Sequence, residues 1–180
     1  PETATYYGTV LLVPVSIALM LLAIRGSYYA FEAYGTASGH KGYARTYGIS
    51  GLLIPAAFSV VLTISEGGFI RETNAGLQLD YMALLTSPLS WAIVVLSVVA
   101  VLYISSVFLT WYADYAGDRD ASELMRKYAL IWAGPMIISA LGIIVELRRT
   151  DNWHFDNMLS WSWLFSLSAI VFIITVWLLA

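Results

Sequence analysis

Five stretches of this chain carry no charged residue: 3–24, 46–65, 81–113, 128–145 and 157–180. Each is close to, or longer than, the ~20 residues a helix needs to cross a hydrocarbon core. In lipid no water is available to the backbone, so every N–H and C=O must be satisfied within the segment, and such runs can only be helices. The pattern therefore predicts an all-α, polytopic transmembrane bundle with five spans, at about 6–33, 45–66, 88–115, 123–147 and 157–180. Residues 1–180 are expected to form a single transmembrane helical domain.

Composition agrees. Hydrophobic residues make up 59% of the chain and charged residues 12%, against roughly 25% charged in an ordinary soluble domain. With a net charge of −3 and no Lys/Arg run, nothing suggests a nucleic-acid partner. The absence of cysteine removes disulfides, thiolate metal sites, iron–sulfur clusters and a cysteine nucleophile together. The chain starts at Pro1 and stops inside the apolar run Trp177-Leu178-Leu179-Ala180. It is accordingly expected to be an internal part of a longer subunit.

Local signals place the helix ends. Tyr6-Tyr7 suits a membrane interface, and Gly35–Gly42 reads as a loop. Pro55 interrupts the second span among the small residues Gly48, Gly51, Ala56 and Ala57, which favour close helix approach. Gly67-Gly68 ends that span, and 73–80 reads as a polar connection. Ser87-Pro88 is a helix start, with Ser as N-cap and Pro at the first helical position. Asp120 with Glu123 resembles a capping box ahead of the fourth span, and Gly134-Pro135 should bend it. Asp151, His154 and Asp156 fall in a loop, with Trp161 and Trp163 opening the fifth helix.

Lys/Arg asymmetry gives an orientation. Lys41, Arg45, Arg119, Arg126 and Lys127 fall on one side, and Arg71, Arg148 and Arg149 on the other. The first side is expected to be cytoplasmic, which puts residue 1 outside and residue 180 inside.

Few side chains offer chemistry. Arg25 is a charge within the first span, where insertion costs roughly 2.5–3.5 kcal/mol. Glu32, seven residues on, shares its helix face. Two readings stand: a polar path or anion site, or an interfacial arginine that snorkels to water. Glu66 closes the second span beside two glycines, either as a solvated residue at a helix stop or next to a ligand. Glu146 with Arg148 and Arg149 suits a local ion pair. Neither histidine, His40 or His154, lies within a span, so no buried imidazole is offered to a b-type haem. No phosphate loop, nucleophile elbow or zinc spacing can be assembled. No residue is expected to be catalytic, to bind a cofactor or to ligate a metal. Arg25, Glu32 and Glu66 remain candidates for a polar path or an interface.

The order of several stretches carries a resemblance. Tyr6-Tyr7-Gly8 is followed by Leu22-Ala23-Ile24-Arg25-Gly26-Ser27-Tyr28-Tyr29-Ala30-Phe31-Glu32, Ile54-Pro55, Ser65-Glu66-Gly67-Gly68 and Ser87-Pro88-Leu89. Residues 102–112 and 128–135 continue it. The whole chain resembles the middle of subunit II of cytochrome bd-type quinol oxidases, in the short-loop form of Bacillus-like bacteria. Distant members of that family carry Arg, then Pro, then Phe-Asp-Tyr. Here the Pro is absent and the acid is Glu32, at a longer spacing.

The resemblance implies a membrane subunit in aerobic respiration that ligates no haem. It would pack against a haem-bearing subunit I, which holds haem b and haem d, in a bacterial cell membrane. The complex would oxidise a quinol and reduce O2 to water, and this chain would support assembly and proton or oxygen access. The competing reading from another class is a fragment of a secondary transporter, for which Pro14, Pro55 and Pro135 would mark interrupted helices.

Overall fold

The computed structural model describes residues 2–34, 40–65, 69–73, 76–149 and 153–180. Among these, five helices are long and apolar enough to cross a membrane, with spans at Gly8–Tyr28, Arg45–Ser65, Pro88–Tyr115, Arg119–Arg149 and Ser162–Leu179. The chain divides into two compact units, Pro1–Val98 and Val99–Ala180.

In the first unit, α1 (Glu2–Tyr34) packs along α2 (His40–Ser65). The covered face of α1 carries Val10, Pro14 and Ala18, then the half-buried Leu21, Arg25 and Tyr28. Steps of three and four residues keep all six on one stripe. The buried hydroxyls of α2 stay within their own helix. Ser50 Oγ donates to Tyr47 O (3.0 Å), Ser59 Oγ to Ala56 O (2.7 Å) and Thr63 Oγ1 to Ser59 O (2.8 Å). Each hydroxyl is thereby satisfied where no water reaches.

The connection expected at 73–80 is instead an antiparallel hairpin, β1 (Ile70–Thr73) with β2 (Gly76–Leu79), followed by the short helix α3 (Tyr81–Thr86). Leu77 and Leu79 are half-buried and Gln78 is exposed, which is the alternation of a one-sided strand. Phe69, Ile70, Leu77 and Leu79 close over the buried cluster Val10, Ile64 and Leu84. Gly76 at φ 107° takes a backbone region open chiefly to glycine.

Asp80 holds this cap together. Its N–H donates to Phe69 O (2.8 Å), its Oδ1 accepts from Ala83 N at the start of α3 (3.1 Å), and its Oδ2 pairs with Arg71 Nη2 (2.6 Å).

Helix α4 (Pro88–Tyr115) starts as the sequence implied, with Ser87 Oγ accepting from Ser90 N (3.3 Å). Trp91 Nε1 donates to Leu85 O (2.8 Å), tying α4 to α3. The unit boundary falls within α4.

The second unit begins with the rest of α4 and continues through α5 (Arg119–Arg149), α6 (Trp153–Ser160) and α7 (Ser162–Leu179). The end of α4 is a Schellman turn: Gly117 has φ 77°, Gly117 N donates to Asp114 O and Asp118 N to Ala113 O, both at 3.0 Å. The cap of α5 is Asp118, not Asp120, because Asp118 Oδ1 accepts from Ala121 N (3.0 Å). The Schellman turn delivers residue 118 to the N-cap position and leaves Asp120 inside the first turn. Helix α5 continues unbroken past Pro135. The fifth helix is split at Trp161, so His154 is helical in α6 rather than in a loop. Tyr103 of α4 packs on Phe172 of α7, with ring centroids 5.2 Å apart.

The cap and the ion pair at Asp80 contribute differently. The carboxylate is 12% exposed and the Arg71 side chain 75% exposed. An exposed pair is worth at most ~1 kcal/mol, and an N-cap about 0.5–2 kcal/mol. Asp80→Ala should therefore speed local amide exchange in residues 76–86 well beyond the effect of Arg71→Ala. Equal effects of the two substitutions would show that the ion pair, not the cap, holds the hairpin.

Candidate functional site

Arg25 lies one turn before the end of the first span, on the face of α1 that meets α2. Its guanidinium carbon sits 4.0 Å from the centre of the Tyr47 ring, and Nη1 donates to Tyr47 O at 3.2 Å. Gly51 makes room for this contact. A Cβ at position 51 would collide with Arg25 Nη1 and lie 3.3 Å from Cζ. Four residues further on, Pro55 has no N–H, so the Gly51 carbonyl loses its helical donor. Tyr47, Gly51 and Pro55 recur every four residues and line one face of α2.

Magnitudes show what holds Arg25. A cation–π contact contributes about 0.5–2 kcal/mol and a hydrogen bond from a charged donor about 1.5–3 kcal/mol. Together they match the roughly 2.5–3.5 kcal/mol cost of placing arginine within a span. The side chain is docked on α2 rather than simply extended to water. The guanidinium offers donors in a planar fork and no acceptor, so this site supplies positive charge and hydrogen-bond donors.

Of the other candidates, Glu32 lies in the helical part of α1 with its side chain outside the described residues, and Glu66 lies outside them altogether. The ion pair expected near Glu146 is present, with Arg149 Nη1 3.1 Å from Glu146 Oε1. Among the described residues no group of three or more His, Cys, Asp or Glu could hold a metal ion. His40 opens α2 and His154 lies in α6, both beyond the spans.

Sequence reading named Arg25 but missed its receptor. The signal was present as the 47–51–55 spacing, with glycine at the middle position. A cleft of about 310 Å³ also went unforeseen. It lies between the start of α1 and the hairpin and is lined by Thr9, Val10, Val13, Leu77, Gln78 and Tyr81 among others.

Comparison with known proteins fixes the family. The family model for cytochrome bd terminal oxidase subunit II matches residues 1–180. A Bacillus subtilis (strain 168) protein assigned as a cytochrome bd menaquinol oxidase subunit II is 34% identical over 175 residues, covering 97% of this chain and 50% of that protein. A chain in the structure of the bd oxidase from Geobacillus thermodenitrificans is 57% identical, with a TM-score of 0.81, over 99% of this chain and 54% of that one. The chain thus spans about half the length of the relatives it matches. The transporter reading finds no support in these matches. With its five apolar helices, this integral membrane protein belongs to the cytochrome bd terminal oxidase subunit II family.

Proposed function

We propose that this chain is a membrane-embedded part of subunit II of a cytochrome bd-type quinol:O2 oxidoreductase, acting in aerobic respiration as the partner of the haem-bearing subunit I. The observation that carries the reading is the family match over the whole of residues 1–180, joined to 57% identity with a bd oxidase chain. Quinol oxidation releases electrons and protons, and reduction of O2 to water consumes both. The haem b and haem d that mediate this transfer are assigned to subunit I, as the family resemblance implies; the spans described here offer no imidazole to hold them. This chain's contribution is packing and a positive charge.

Residues 1–180 are read as one membrane domain, a reading supported by α4 running unbroken from 88 to 115, and as part of a longer subunit, since the chain spans about half the length of its relatives. The orientation follows the Lys/Arg asymmetry, with residue 1 outside and residue 180 cytoplasmic in a bacterial cell membrane whose lipid covers the apolar faces. In that frame Arg25 lies in the cytoplasmic half of α1. It holds negative charge near the subunit interface or a proton path, with Glu32 and Glu66 as further polar members.

Two experiments test this reading. Affinity purification of the complex through a tag on this polypeptide should co-purify haem b and haem d bands in the reduced-minus-oxidised spectrum. A colourless preparation at full yield would overturn the assignment. Arg25→Gln removes the positive charge. It should lower turnover per assembled complex by about tenfold, equivalent to roughly 1.4 kcal/mol, with assembly retained. Unchanged assembly and turnover together would end the role given to Arg25.

A further inference from the structure

Helix α1 is apolar on both faces. Its covered stripe carries Val10, Pro14, Ala18 and Leu21, and its uncovered side carries Leu12, Ile17, Leu19 and Met20. In water such a helix would bury whichever face is more apolar. In lipid that force is missing, because lipid tails are as apolar as leucine, and helix association rests on packing and polar contacts. The cluster of Val10 with Ile64 and Leu84 anchors one end of α1, but along the rest of the span the aliphatic residues give little preference for the side turned toward α2.

Arg25 breaks this degeneracy. Between Glu2 and Glu32 it is the sole charged residue of α1. Its receptor on α2 is equally specific: a ring face and a carbonyl on Tyr47, beside the notch at Gly51. We infer that Arg25 and Gly51 are a matched key and notch that sets the rotation of α1 against α2, so that Arg25 is a positioning residue whose contribution is uniqueness of packing rather than stability. A single polar residue in an apolar seam acts in this way in coiled coils, fixing one arrangement at a cost in stability. Replacing a buried polar or charged group by an apolar one of similar volume is correspondingly often neutral or stabilising. The inference depends on neither the orientation nor the haem-bearing partner.

The test uses the full-length subunit in its assembled complex, with any cysteines outside residues 1–180 replaced, since this stretch has none. Val10→Cys or Leu12→Cys is paired with Ile64→Cys, and disulfide yields are compared. Val10 and Ile64 share one buried cluster, while Leu12 is 66% exposed and lies about 200° around the helix from Val10. A disulfide needs Cα atoms within about 7 Å, so the parent should favour the Val10 pair strongly.

Arg25→Met should lower the Val10-to-Leu12 yield ratio by about fivefold or more, with the melting temperature of the complex unchanged or raised. Gly51→Ala should lower the ratio similarly when Arg25 is present and add nothing in combination with Arg25→Met, because the two act as one unit. Arg25→Lys should restore only part of the ratio, lacking the planar fork. An unchanged ratio in both single variants, additive effects, or failure of Arg25→Met to assemble would each overturn the inference. A variant that keeps the ratio but loses turnover would leave the electrostatic role standing and remove this one.

Discussion

The constraint on which this structure depends is that backbone polar groups in hydrocarbon have no water to turn to. It explains why the charge-free runs are helices and why hydroxyls within them bond backward to their own carbonyls. Ser50, Ser59, Thr63, Ser106, Thr110, Ser139 and Thr175 each donate to a carbonyl three or four residues earlier. A hydroxyl handled this way contributes polarity without leaving an unpaired donor. Arg25, like Ser97 with its bond to Pro55 O (3.3 Å), is a span residue that reaches beyond its own helix. The glycine and proline spacing of α2 provides the place Arg25 reaches.

The hairpin cap over α1 and α2 obeys a different rule. Beyond the hydrocarbon region, water is present and a β-hairpin becomes affordable, since its free edges can be hydrated. Its apolar side chains still have a core to cover, at Val10, Ile64 and Leu84. Asp80 joins hairpin to helix because one carboxylate has lone pairs enough for both an arginine and an N-terminal amide.

The membrane architecture was legible because a span needs only length and the absence of charge, and both are visible residue by residue. The start at Ser87-Pro88 and the Glu146–Arg149 pair were legible for a similar reason, being local in sequence. The hairpin was not, since four-residue strands give too few alternations to separate from a polar loop, and its stabilising contacts come from α1 and α2. The cap of α5 was misplaced by two residues because Asp118 and Asp120 are chemically identical, and only the Gly117 turn decides between them. Trp161 breaks the fifth helix without proline or glycine, so composition carried no sign of it. Arg25 stood out as a charge in a span, but its receptor required knowing which faces of two helices meet.

One measurement bears most directly on the claim that these helices lie in lipid. Ile138 of α5 is 71% exposed within the chain, and Glu72 of the hairpin is exposed as well. Single cysteines at the two positions, in the cysteine-free stretch, would be treated with a membrane-impermeant maleimide applied to both faces of the intact membrane. Labelling at position 72 with none at 138 until detergent denatures the complex is the expected result. Equal, rapid labelling at both positions would place α5 in water and contradict the account.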